Sequence, residues 1–394
     1  MSAIPLLRRA IDTRAVEHLI DRTIAEGRLA GAVVLAVYRG QPLFAKAAGV
    51  ADRERDVPMQ QDTLFRLASV SKPLVTATAM ALVGRGALEL DQPIHRWLAE
   101  FRPRLADGRT PDITLRQLLT HTAGLGYRFL EEDTEGPFAR AGVSDGMDDS
   151  AIDLKENLRR IASVPLLFEP GTSWRYSIAV DVVGGLIEAA TGMALPEAVR
   201  QLIATPIGIV DTDFHAVDAT RLAQPYVLDN EGLRLLREGD VVTPFEGAVG
   251  IMYSPARATT PSAFPSGGAG MVGTAPDMLR FLEALRQEKH PGLSPMLIAE
   301  MARNQVGQNG PPDAPGFGFG LGFSVLRDAE VAQTPEAAGT WRWGGAYGHS
   351  WFVDVARQLT VVAFTNTLYE GMSGRFVSEL RDVIYAAIDA ERAS

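Results

Sequence analysis

Ser69 and Lys72 stand three positions apart in Phe65-Arg66-Leu67-Ala68-Ser69-Val70-Ser71-Lys72-Pro73, ahead of an apolar run of helical length containing Leu74, Val75, Ala77, Met80, Ala81 and Leu82. Residues at i and i+3 share one helix face, so this hydroxyl and this amine fall within hydrogen-bond reach. Serine attacks poorly at neutral pH. A lysine beside it becomes its base if removal from water brings the amine below its free pKa of about 10.4. A helix N-terminus adds backbone N–H donors that favour a developing negative charge. The chemistry this suggests is attack of a serine on a carbonyl. A serine three residues before a lysine also recurs by chance in any long chain, so position and companions must decide.

Two companions stand further along. Tyr176, in Trp174-Arg175-Tyr176-Ser177, follows the turn Glu169-Pro170-Gly171 and precedes an apolar helix predicted from Ala179 to Thr191. Its phenol could pass protons between nucleophile and leaving group. Trp343-Gly344-Gly345-Ala346 closes a predicted strand, where two glycines let a backbone approach a ligand and offer N–H donors. Each has a plainer explanation alone: a packed tyrosine, a glycine turn.

The elements that must hold these residues can be read from pattern. Pro73 costs least in the first turn of a helix, so the helix is predicted to begin close to Ser69. Upstream, Asp12 is read as the cap of a helix bearing Val16, Leu19, Ile20 and Ile24 on one face, closed by Gly27. Ala32 to Tyr38 and Pro42 to Ala48 form a predicted hairpin about Arg39-Gly40-Gln41. Thr114 caps a short helix that gives way to a loop through His121, Gly124 and Tyr127. Residues 131–135 and 144–149 read as an acidic, solvated loop region, and residues 232–265 show no pattern. Thr274, with Asp277 three residues on, caps a helix whose Met278, Phe281, Leu282 and Leu285 face a core. Strands are predicted at Gly320 to Leu326, Thr340 to Trp343, Ser350 to Asp354 and Leu359 to Thr365, then a last helix from Phe376 to Ile388.

Strand-rich ends around a helical middle predict an α/β protein of the α+β type, with one antiparallel sheet built from both chain ends and flanked by helices. At 394 residues the chain exceeds the usual single core. The division expected is a discontinuous α/β domain of residues 1–60 and 266–394, and a mostly helical domain of residues 61–265 carrying Ser69, Lys72 and Tyr176. A net charge of −10 argues against nucleic acid or an anionic membrane surface as the main partner. The absence of cysteine removes disulfides and thiolate chemistry. The first residues carry Arg8, Arg9, Asp12 and Arg14 around a short apolar piece, Ala3 to Leu7, which predicts no signal peptide and a cytoplasmic protein. No stretch reaches the ~20 apolar residues of a membrane span.

Taken together and in this order, the three segments resemble the serine β-lactamase-like superfamily, with its S-x-x-K, second-motif and K-T-G signatures. The likeness is closer to the family VIII carboxylesterases. It runs through Leu64 to Pro73, Leu118-Leu119-Thr120-His121-Thr122, Gly124-Leu125-Gly126-Tyr127, Pro265 to Met271, Trp343-Gly344-Gly345 and Tyr347 to Asp354. The resemblance implies a β-lactamase/transpeptidase-like fold and hydrolysis of small carboxylic esters without a cofactor. It implies Ser69 as nucleophile, Lys72 and Tyr176 as base and proton relay, and an oxyanion hole from the N–H groups of Ser69 and Ala346. Tyr127, Trp343, Gly344 and Gly345 would border the substrate.

Two departures bear on substrate. Ile178 stands where β-lactamases carry an asparagine two positions after the tyrosine, and Trp343 stands where they carry the lysine of K-T-G. Both remove polar groups that hold a β-lactam, and a wall of Trp343 and Tyr127 suits an ester better. A decoy also occurs: Gly142-Val143-Ser144-Asp145-Gly146 fits the G-x-S-x-G elbow of α/β-hydrolases but lacks the buried strand that motif requires. His18, His95, His121, His215, His290 and His349 show no metal-ligand spacing. His121 is expected to order its loop, and His349 to be structural ahead of a role in the site.

Overall fold

The computed structural model describes residues 11–393. The apolar piece Ala3 to Leu7 lies outside them. Strand β1 (Gly31–Tyr38) is apolar along its length because both of its faces are covered. Val33 and Leu35 enter one core, while Ala32, Val34 and Ala36 enter another on the opposite side. Arg39 and Gly40 both take positive φ, the conformation of a tight two-residue hairpin turn, and lead into β2 (Gln41–Asp52). A short β3 (Val57–Pro58) follows.

The remaining strands of this sheet come from the other end of the chain: β4 (Phe317–Phe319), β5 (Ser324–Leu326), β6 (Trp341–Gly345), β7 (His349–Asp354) and β8 (Leu359–Thr365). All eight pair antiparallel in the order β4-β5-β6-β7-β8-β1-β2-β3. The β1–β8 ladder, from Ala32 opposite Thr365 to Tyr38 opposite Leu359, joins the two ends as the strand pattern predicts.

One predicted strand is corrected. Gly320 to Leu326 is a turn followed by β5, because Gly320 N–H donates to Phe323 O and Gly322 takes φ +84. Gly322 is also pressed against Thr76, so no side chain fits there. The helix expected to be capped by Asp12 is α1 (Arg14–Ala25), with Thr13 in the cap position. Asp12 still accepts the Arg14 N–H at 3.0 Å, one residue early. The strands in residues 232–265, which no pattern disclosed, are two to four residues long, too short to show a period: Gly232–Leu235, Val241–Val242 and Ile251–Met252.

Helix α1 and the last helix pack on the outer face of the sheet through Val16, Leu19, Ile20, Phe376, Leu380 and Ile384. That last helix runs Arg375–Ala393, longer than predicted at both ends. On the inner face lie α2 (Lys72–Gly84), α3 (Ala179–Thr191) and α4 (Ala275–Arg286). Thr274 accepts the Asp277 N–H at 3.3 Å, and Thr114 forms a complete capping box with Gln117, so both predicted caps are present. Helix α2 is buried all round, with Leu74, Val75, Met80 and Leu82 each contributing about 1.5–3 kcal/mol of burial. That burial fixes the helix from whose first turn the candidate site is built.

Candidate active site

Helix α2 does not start at Ser69. Residues Ala68–Ser71 form a 3-10 turn, and the α-helix begins at Lys72, which makes Pro73 its second residue, where a missing N–H costs nothing. Ala68 takes φ +46, a left-handed conformation that costs an alanine about 1–2 kcal/mol. The surrounding backbone holds it there. Leu67 N–H donates to Met271 O at 2.8 Å, Met271 N–H donates to Ser71 Oγ at 3.1 Å, and Phe65–Arg66 pairs antiparallel with Val272–Gly273. The segment Pro265 to Met271 thus clamps the turn that carries Ser69.

Lys72 is fully buried. Its Nζ donates to Ser69 Oγ at 3.1 Å and to Gly268 O at 2.8 Å, and it lies over the rings of Tyr176 and Tyr127 at 4.8 and 5.5 Å from their centroids. Tyr176 reaches the same serine from a distant part of the chain, its OH 2.6 Å from Ser69 Oγ. Two bonds pin its segment to the loop before Tyr127: Arg175 N–H to His121 O at 3.0 Å and Ile178 N–H to Gly126 O at 3.1 Å. Ser69, Lys72 and Tyr176 therefore meet at one hydroxyl.

Strand β6 passes directly beside the turn. Gly345 lies so close to Leu67 O that any side chain would collide, and a Cβ on Gly344 would come 2.8 Å from Met372 Cγ. The glycines are thus required by protein packing, and that packing brings Ala346 alongside Ser69. Gly345 is the last residue of the β6–β7 ladder, so Ala346 N–H makes no ladder bond. Trp343 lies on the inner face of β6 and packs against Tyr176 and Phe319, with ring centroids at 5.6 and 5.2 Å. Tyr127 stacks on Phe129 at 4.7 Å and tilts against Tyr176 at 5.1 Å.

Burial and neighbouring charge shape the electrostatics. Asp181, in the first turn of α3, is fully buried, and its Oδ2 fills the space a side chain on Gly268 would need. Burial pushes its carboxyl up to about 6, while the Ser266 hydroxyl, the Lys72 and Arg257 charges and the Gly268 N–H pull the other way. Neither of those two donors closes a hydrogen bond of ordinary geometry on it. Burial also raises the Tyr127 phenol well above 10 and holds the His121 imidazole well below its usual value. His121 packs edge-on against Tyr176 at 4.9 Å and its Nδ1 meets Ser177 Oγ at 3.0 Å, so it orders the tyrosine as well as its own loop. Asp181, Gly268, Phe129 and Trp174 were not found as site residues in the sequence. Only Gly268 carried a local signal, its glycine-rich run.

His349 is buried between Phe65 and Phe364 and donates from Nε2 to Arg66 O at 2.8 Å, a bond that steadies the strand before Ser69. Burial lowers its pKa from 6.5 to about 4. Above 6.5 both folded and unfolded states hold it neutral. As pH falls from there, the unfolded chain takes up a proton the folded chain resists, so stability is lost progressively, reaching about 3 kcal/mol below pH 4. His349→Gln is expected to lose less melting temperature than the wild type between about pH 7 and about pH 4. Equal losses in a thermal-unfolding series would show that His349 is not the group responsible.

Ser144, the decoy, is fully buried. Its Oγ donates to Asp148 Oδ1 at 2.6 Å and accepts the Gly146 N–H at 3.1 Å, and it follows a short helix instead of a strand. It organises its loop. That loop was expected to be solvated, yet Val143 to Asp148 is buried against Arg257, whose guanidinium donates to Asp148 O and Phe264 O.

A cavity of about 730 Å3 opens at Ser69, bordered by Tyr127, Phe129, Asp145, Trp174, Tyr176 and Trp343. It continues past Gly344 to the outer face of the sheet near Phe352 and Leu380, so a substrate at Ser69 uses only part of it. Among the described residues no group of three or more metal-ligating side chains comes together. Among the described residues no single helix is long and apolar enough to cross a membrane.

The sheet flanked by helices and the cluster of Ser69, Lys72 and Tyr176 accord with a family model described as Beta-lactamase, which matches residues 16–385. The chain belongs to that family. It is 48% identical to Esterase EstB of Burkholderia gladioli over 94% of both chains. Among solved structures it is similar to EstCE1, a hydrolase with promiscuous acyltransferase activity, at 44% identity and a TM-score of 0.91, covering 95% of this chain and 98% of that one. Simvastatin synthase from Aspergillus terreus shares the fold, at 23% identity and a TM-score of 0.76 over 98% and 99% of the two chains.

Proposed function

We propose that this protein is a serine carboxylesterase that hydrolyses small carboxylic esters through an acyl-enzyme on Ser69. The observation that carries this is the double hydrogen bond at one hydroxyl, Lys72 Nζ at 3.1 Å and Tyr176 OH at 2.6 Å. Ser69 Oγ attacks the ester carbonyl carbon and its proton leaves along one of these two bonds. The carbonyl oxygen becomes negative between the N–H groups of Ser69 and Ala346, each such donor being worth about 3 kcal/mol in the transition state. The Lys72–Tyr176 pair returns the proton to the departing alcohol, and water then releases the acid by the same steps in reverse. The names of the EstB and EstCE1 relatives support this reading. Acyl transfer to an alcohol would use the same intermediate.

The aromatic wall of Tyr127, Tyr176 and Trp343 favours an ester over a β-lactam, because Trp343 supplies no cation for the lactam carboxylate and Ile178 no amide. Purified enzyme is expected to hydrolyse p-nitrophenyl acetate and butyrate while opening nitrocefin slowly or not at all. Faster turnover of nitrocefin than of both esters would overturn the substrate assignment. Mass spectrometry of a trapped acyl-enzyme, with the added mass on the peptide holding Ser69, tests the intermediate itself. We place the enzyme in the cytoplasm, acting on small molecules without nucleic acid or membrane; cell fractionation checks that placement.

A further inference from the structure

The cavity at Ser69 is bordered by polar groups that the chemistry above does not use, Asp145 among them. Asp145 borders it and is only 7% exposed. Its Oδ1 accepts the Arg128 N–H at 3.2 Å, and its Oδ2 has no donor among the described residues. That oxygen is not sealed inside the protein: it is left free at the cavity, where a donor or cation on a ligand can meet it. Of the other charged groups bordering the cavity, Glu131, Arg175 and Arg342 are engaged, and Asp313 lies exposed to solvent. Glu131 accepts the N–H groups of Phe138 and Ala139, Arg175 donates to Leu130 O, Arg342 is paired with Glu336, and Lys72 is held by Ser69 and Gly268. Besides that backbone bond, the Arg128 guanidinium acts on Asp145 only through space, without forming an ion pair.

Aromatic rings bordering the same cavity complete the pattern. Tyr127, Phe129, Trp174, Tyr176 and Trp343 present aromatic surface to the same cavity, and such rings attract a quaternary ammonium through their negative faces. A carboxylate among several aromatic rings is the combination that recognises an alkylammonium group. The chain's net charge of −10 draws cations toward it. We propose that Asp145 and this aromatic wall make the enzyme selective for esters carrying a positively charged ammonium group, over neutral esters of the same shape. The proposal rests on the ester-hydrolase reading and names its substrate class.

A pH signature accompanies the selectivity. Asp145 faces Asp148 and Asp181 as like charges and Arg128 as an opposite one, and burial, the largest influence, moves its carboxyl up to about 7. Asp181 titrates nearby at about 6, and Tyr127 stays protonated throughout this range. Ionised Asp145 attracts an ammonium and protonated Asp145 does not, so preference for the cation grows as pH rises through about 7.

The test uses a matched pair: butyrylcholine and neohexyl butyrate, in which carbon replaces the ammonium nitrogen. In the wild type the ratio of kcat/KM for the cation over the neutral ester is expected to exceed about ten at pH 8 and to shrink several-fold by pH 6. In Asp145→Asn the ratio is expected to fall about tenfold and lose its pH dependence, whatever the change in absolute rate. Tetramethylammonium should also inhibit neohexyl butyrate hydrolysis competitively in the wild type, a measurement that needs no variant to fold. A ratio near one at both pH values, with neohexyl butyrate still hydrolysed, would sink the proposal and leave the esterase reading intact. Hydrolysis of neither ester, nor of p-nitrophenyl butyrate, would sink that reading instead.

Discussion

Ser69→Ala is expected to lower kcat/KM for p-nitrophenyl butyrate by about ten-thousand-fold or more, while Ser144→Ala keeps most of the wild-type activity. The size of the first effect follows from the mechanism: without an oxygen at Ser69 no acyl-enzyme forms, and what remains is the contribution of binding and the oxyanion hole. A fluorophosphonate probe should label the wild type and Ser144→Ala and fail to label Ser69→Ala. Ser144→Ala is not silent, since it removes the hydroxyl that donates to buried Asp148 and accepts from Gly146. Its cost belongs in stability, about 1–3 kcal/mol in denaturant unfolding. If Ser144→Ala abolished labelling and Ser69→Ala preserved it, the nucleophile would be misassigned.

Lys72→Ala and Tyr176→Phe are each expected to cost about a hundred- to ten-thousand-fold in kcat, with far smaller changes in KM, because both act on a proton in flight and not on substrate held at rest. The two effects should not multiply. Both side chains address the same Ser69 hydroxyl, so the double variant should be little slower than the slower single variant. Tyr176→Phe keeps the ring packed against His121 and Trp343, which makes it the cleaner probe. Lys72→Ala also vacates the fully buried space beside Gly268 and Asp181, so its folding should be checked by thermal unfolding before its rate is read. A rate for both variants within a few-fold of the wild type would mean that the proton leaves Ser69 by another route.

Much of the site was legible because its signals are local. The three-residue spacing of Ser69 and Lys72, the placement of Pro73, and the caps at Thr114 and Thr274 depend on helix geometry alone, which acts within a turn or two. The alternation and turn residues of the strands pointed in the same way to a sheet from both chain ends, now seen in the β1–β8 ladder. Where local signals misled, a close approach from elsewhere was responsible. Gly322 turns because Thr76 of α2 is packed against it, and Ser69 sits in a 3-10 turn because residues 265–273 clamp the backbone on either side.

The sequence by itself determined which residues could react and which elements would carry them, since periodicity, capping and turn chemistry are properties of neighbouring residues. Only the tertiary structure decided that Tyr176 would reach Ser69 across 107 positions, that Asp145 would be a buried carboxyl at the cavity and Asp181 one beside Gly268, and that Ser144 would be a loop brace. Burial and through-space charge arise from packing between segments far apart in the chain, and no local pattern encodes them.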